Sequence, residues 1–160
     1  MSNMNRQFLL AARPQGMVKE SDFEYTEAPK PVAGDGEFVV QTTHNSLDPS
    51  MRGQMENRAD YVAPLEIGDV MRAGGVGKVV ESNHPDFKVG DMVGGTFGMQ
   101  DYAVFKDNAP LRRYPANTSA EVALGVLGGT GMTAYFGLLD IGEPKAGDVV
   151  VISGAAGATG

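Results

Sequence analysis

Val149-Val150-Val151-Ile152-Ser153-Gly154-Ala155-Ala156-Gly157-Ala158-Thr159-Gly160 decides how this chain is read. Its four β-branched residues follow the turn signal Gly142-Glu143-Pro144-Lys145-Ala146-Gly147-Asp148, a pattern expected of a central parallel strand covered on both faces. They lead into Gly154, Gly157 and Gly160, spaced G-x-x-G-x-x-G. A buried strand entering a glycine-spaced loop opens a dinucleotide-binding unit, because absent side chains let the backbone approach a pyrophosphate whose charge sits at the next helix N-terminus. The expectation is the first strand and loop of such a unit, with the following helix not encoded. The same residues also read as a glycine-rich turn or tail, since this spacing only overlaps G-x-G-x-x-G and the chain holds 22 glycines.

Upstream, from Phe8 to about Arg113, short β-prone runs alternate with Pro, Gly, Asn and Asp clusters. Strands are expected around Phe8 to Ala11, Phe23 to Thr26, Phe38 to His44, Val70 to Glu81, Met92 to Thr96 and Asp101 to Phe105, with an extended piece near Leu111 to Tyr114. Gly74, Gly75 and Gly77 interrupt the longest run and mark a bulge or bend, as in a closed, bent sheet. The pattern changes at Thr118, which with Glu121 has the spacing of a capping box before Val122, Leu124, Val126 and Leu127. A second helix is expected over Thr130 to Leu139, with Met132, Tyr135, Phe136 and Leu139 along one face. Tyr135 and Phe136 read as packing residues. The fold class is therefore α+β, mainly β, with 1–117 as one domain and 118–160 as helices, a strand and the glycine loop.

Composition removes several function classes. With no cysteine there is no disulfide, thiolate zinc site or cysteine nucleophile. His44 and His84 then read as ordinary hydrogen-bonded or solvent-facing side chains, and no metal is expected. A net charge of -7 argues against nonspecific binding to nucleic acid or an anionic membrane. The N-terminus lacks the apolar segment of a signal peptide, and no stretch is long and apolar enough to span a bilayer, so the expected compartment is the cytoplasm.

The polar loop His44-Asn45-Ser46-Leu47-Asp48-Pro49-Ser50-Met51-Arg52-Gly53 follows an expected strand end. On its own it reads as a capped turn or as a rim loop that carries chemistry. Taken with Gly131-Met132-Thr133-Ala134-Tyr135-Phe136-Gly137-Leu138 and Gly154 to Gly160, in this order and separation, it resembles the medium-chain dehydrogenase/reductase superfamily. Within it the likeness is to the zinc-free NADPH-dependent double-bond reductases: prostaglandin, alkenal and curcumin reductases.

The resemblance implies a GroES-like β-barrel catalytic domain, linking helices and the opening strand of a Rossmann domain. It implies NADP(H) as cofactor and, as partner, a small-molecule α,β-unsaturated aldehyde or ketone. Hydride passes to the β-carbon and the resulting enolate is protonated. A homodimer is implied for the full-length parent, and the 160 residues alone are expected to be incompetent. Asn45, Asp48, Met51 and Arg52 match the family's cleft loop, with Asp48 and Arg52 fixing it. Ser50 stands where relatives usually carry a pocket tyrosine, so Tyr61 becomes the aromatic candidate. Met132 and Thr133 match a segment facing the nicotinamide, where Gly131 permits close backbone approach. Gly154, Ala155, Ala156, Gly157, Ala158 and Gly160 match the cofactor loop, and the main catalytic donor falls outside this sequence. The alternatives are a quinone oxidoreductase of the same superfamily and a stand-alone β-barrel module that binds a partner or self-associates through Val149 to Ile152.

Overall fold

The computed structural model describes residues 3–58, 62–107 and 109–160. It divides into two compact units, one ending at Ala116 and one running from Asn117 to Gly160. The first unit is antiparallel β. Strands β1 (Met4–Leu10) and β2 (Phe23–Pro29) form a ribbon. A five-stranded sheet follows the order β6-β3-β4-β5-β7, with β3 at Phe38–Asn45, β4 at Gly74–Ser82, β5 at Met92–Thr96, β6 at Tyr102–Phe105 and β7 at Arg112–Tyr114.

The ribbon joins the sheet through the second edge of β1. Its Phe8 amide donates to the Met99 carbonyl at 3.0 Å, its Leu10 amide to that of Asp69 at 2.9 Å, and the Asp101 amide returns a bond to Arg6 at 3.0 Å. Buried Asn5 fixes this seam: its Nδ2 donates to the Tyr102 carbonyl at 3.0 Å while its Oδ1 accepts the Tyr102 amide at 2.9 Å. A buried amide side chain that satisfies both faces of a strand pair costs little and sets its register.

The core lies under β3. Phe38, Val40, Val79, Val93, Phe97 and Ala103 are buried together, with Phe87 stacked on Phe38 at 4.1 Å between ring centroids. A second cluster, Leu10, Met55, Leu65 and Met71, packs beneath the segment that follows β3. The bend expected near the glycines is present, but the extra residue sits on the opposite strand. Thr42 pairs with Gly77 and His44 with Val76, so Thr43 bulges out of β3 and its hydroxyl donates to the Val76 carbonyl at 3.0 Å. Gly77 is required there because an added Cβ would lie 2.3 Å from the Gln41 carbonyl oxygen.

Helix α1 (Ser50–Gln54) belongs to the first unit; in the second, α2 spans Ala120–Leu124 and α3 spans Gly129–Phe136, which continues as a π-helical turn over Gly137–Ile141. The N-cap is Ser119, whose hydroxyl accepts the Val122 amide at 3.3 Å, one residue beyond the Thr118 expected from spacing. The expected packing of Tyr135 and Phe136 is not found. They are 59% and 49% exposed, with Met132 and Leu139 exposed beside them, because no described residue of the unit covers that face. Val149 and Val151 are 90% and 89% exposed, and the run 149–152 pairs with no strand among the described residues. A parallel strand gains its order from neighbours on both edges, and this unit supplies none.

Candidate functional site

After β3 the chain leaves the sheet as Ser46 to Pro49 and turns into a five-residue helix, α1 (Ser50–Gln54), inside a stretch whose sequence reads only as a loop. Asp48 fixes the turn through its backbone, not its carboxylate. Its carbonyl accepts the Met51 amide at 3.0 Å and its own amide donates to the Met51 sulfur at 3.3 Å. Arg52 holds the segment from outside, pairing with Glu56 at 2.9 Å and donating to the Gly16 carbonyl at 3.1 Å.

These residues form one wall of a cleft of about 510 Å³. Leu47, Asp48, Met51, Arg52 and Met55 face it from the loop and α1. Phe8 and Phe23 of the ribbon, Val18, Met71 and Met99 close the other side. These last five are functional candidates that sequence reading missed. Each looks like an ordinary apolar residue, and only the fold brings β1, the start of β2 and the 71 and 99 turns to one place.

Asn45 lies apart from that cleft, in a more polar neighbouring one of about 490 Å³ lined also by Arg6, Tyr25, Thr42 and Asp101. Its Nδ2 donates to the Gly98 carbonyl at 3.1 Å, and Gly75 leaves room for it, since a Cβ there would sit 3.0 Å from that nitrogen. Arg6 grips Asp101 through two nitrogens, at 2.7 and 3.1 Å, and these hydrogen bonds hold the Asp101 carboxyl below its ordinary range. Tyr25 is pushed up, first by desolvation and then by its hydrogen bond to Glu27. Thr42 Oγ1 is buried with no partner among the described residues. Ser50 is exposed and lines neither cleft. Tyr61 lies outside the described residues.

Among the described residues no cluster of His, Asp or Glu could hold a metal ion, and no helix is long and apolar enough to cross a membrane. His84 accepts the Asp86 amide at Nδ1 and meets Asp107 at Nε2, 2.6 Å away, with its ring against Phe38 and Phe87.

The second unit has its own concavity of about 750 Å³, which brings together Thr133, Gly154, Gly157, Ala158 and Gly160 with residues 150–153. Met132, Ala155 and Ala156 do not line it. Gly154 adopts φ +64° and its carbonyl accepts the Gly157 amide at 2.8 Å, so the loop is a tight turn. A Cβ on Gly160 would lie 2.5 Å from the Gly154 oxygen. A Cβ on Gly131 would collide with the Val126 carbonyl, so the chain's own turn requires glycine there.

An antiparallel β domain with a loop-walled cleft is the fold of the GroES-like N-terminal domain of the medium-chain oxidoreductases. The family model described as N-terminal domain of oxidoreductase matches residues 6–112, and the chain belongs to that family. It is 45% identical to the NADPH-dependent curcumin reductase of Escherichia coli, over 98% of this chain and 45% of that protein. To the putative NADP-dependent oxidoreductase YfmJ of Bacillus subtilis it is 42% identical, over 100% of this chain and 47% of that protein. The crystal structure of CurA from Vibrio vulnificus in complex with NADPH superposes with a TM-score of 0.84 at 40% identity, over 96% of this chain and 46% of that one. The chain thus spans about half the length of the relatives it matches.

Proposed function

We propose that the chain is the front part of an NADPH-dependent reductase that saturates the C=C bond of α,β-unsaturated aldehydes or ketones. The observation that carries this reading is the 45% identity to the curcumin reductase across 98% of the chain, which includes the cleft loop and the glycine turn. In this reading residues up to 117 are the catalytic domain, and those from 118 begin the cofactor domain.

The residues present fit a dinucleotide. Gly154, Gly157 and Gly160 carry no side chain, so a pyrophosphate can approach the backbone at these positions, with Thr133 lining the same concavity. When bound, NADPH supplies the hydride. Met51, Met55 and Phe8 present an apolar surface to a flat alkene, and holding it in place lowers the entropic part of the barrier. Arg52, through Glu56 and Gly16, keeps the loop in place as the substrate enters.

A chimera of residues 1–160 with the remainder of the E. coli relative tests the reading. It is expected to oxidise NADPH in the presence of a curcuminoid or another enone, while the 160 residues alone show no turnover above background. A folded chimera that binds NADPH yet ignores enones and reduces quinones would overturn the proposal.

A further inference from the structure

We infer that the methionine-walled cleft of the first unit is a subsite for the uncharged, apolar tail of a carbonyl compound, and that it turns away tails ending in a carboxylate. The inference rests on the reductase reading for the carbonyl and adds the chemistry of the rest of the substrate.

Met51, Met55, Met71 and Met99 all line the cleft. Thioether side chains are flexible and polarisable, so such a wall adapts to alkyl or aryl chains of varied shape. The volume of about 510 Å³ lies within the range of sites that enclose small molecules.

The charges decide what the tail can carry. Among the described residues lining the cleft Arg52 is the one cation, and both of its terminal nitrogens are engaged, one by Glu56 at 2.9 Å and the other by the Gly16 carbonyl at 3.1 Å. Asp48 lines the same wall, exposed, and among the described residues its carboxylate has no hydrogen bond or ion pair. An entering carboxylate would lose hydration in an apolar slot, meet a guanidinium already paired with Glu56 and face an unpaired acid of its own sign. A neutral chain meets none of these costs, and each methylene buried tightens binding by roughly two- to fourfold.

The test is a titration of the 160-residue chain, labelled with methyl-13C methionine, by decan-2-one, hexan-2-one and decanoate at neutral pH. Single Met→Leu variants assign the resonances. Decan-2-one is expected to shift the methyls of Met51, Met55, Met71 and Met99 and to leave Met17 and Met132, which are 86% and 49% exposed, unmoved. Hexan-2-one should bind at least roughly tenfold more weakly, for want of four methylenes. Decanoate should be weaker than the ketone by a similar factor, and Asp48→Asn should narrow that gap. Shifts at Met17 and Met132 equal to those in the cleft, no shift at the four, or decanoate binding as tightly as the ketone would each sink the inference. Decan-2-one has no C=C bond, so its binding here with a chimera inert to enones removes the reductase reading alone. A chimera active on enones but indifferent to tail length and charge removes the subsite alone.

Discussion

Gly77→Ala should be among the most damaging one-methyl changes available in the first unit. Gly77 faces Thr42 across the β3-β4 pair, next to the Thr43 bulge, and a Cβ built there would lie 2.3 Å from the Gln41 carbonyl oxygen and 2.7 Å from Val40 Cγ1. A side-chain atom can rotate away from such a contact, but the Gln41 oxygen belongs to the backbone of a central strand. Relief therefore requires the two strands to part, and β3 carries Val39 and Val40, both fully buried. Overpacking of a core costs about 1–3 kcal/mol, and a backbone collision places this case at about 3 kcal/mol or above. For a domain of this size that lowers Tm by roughly 10–20 °C. Two controls separate the collision from loss of glycine as such. Gly53→Ala, in α1 with nothing within 4 Å, should be neutral or stabilising by up to ~1 kcal/mol, and Gly90→Ala, at φ +97° in open space, should cost about 1–2 kcal/mol. Urea unfolding followed by circular dichroism measures all three. If Gly77→Ala matches Gly53→Ala with an unchanged slope, the packing argument for β3-β4 is wrong.

Two further outcomes concern single contacts. Arg6 holds the Asp101 carboxyl below its ordinary range, so this carboxylate stabilises the fold above the unfolded carboxylate pKa and loses that contribution as pH falls through the folded one. The stability gap between the native chain and Asp101→Asn should be largest at neutral pH, close in acid and shrink in high salt, because Arg6 is exposed; a gap constant with pH refutes the assignment. Ser119→Ala should cost about 1 kcal/mol of helix stability and speed exchange of the Val122 amide, whereas Thr118→Ala should leave that amide unchanged.

Much of the first unit was legible from spacing. A short β-prone run located the strand at Phe38, and the glycines at 74, 75 and 77 flagged a bend, because residue preference and turn chemistry are local properties. The helix at Ser50–Gln54 was not legible, since a five-residue helix with no side-chain cap rests on its contacts with Met55 and Gly16 more than on propensity. The capping box was read one residue early for a related reason: Thr118 and Ser119 both offer a hydroxyl, and only the backbone path shows which one meets an amide.

The sequence by itself determined the family, the absence of thiol chemistry and the glycine turn, because motif order and composition belong to the chain whatever its conformation. Tertiary structure alone decided the make-up of the cleft. Phe8, Val18, Phe23, Met71 and Met99 are far apart along the chain, and they share a wall only because β1 bonds to β2 on one edge and to the 69–71 and 99–101 segments on the other. Contacts between distant residues are set by how strands pair and roll, which local periodicity does not encode. The same physics accounts for the exposed run at 149–152: four β-branched residues state a preference for a sheet, and only neighbouring strands can realise it.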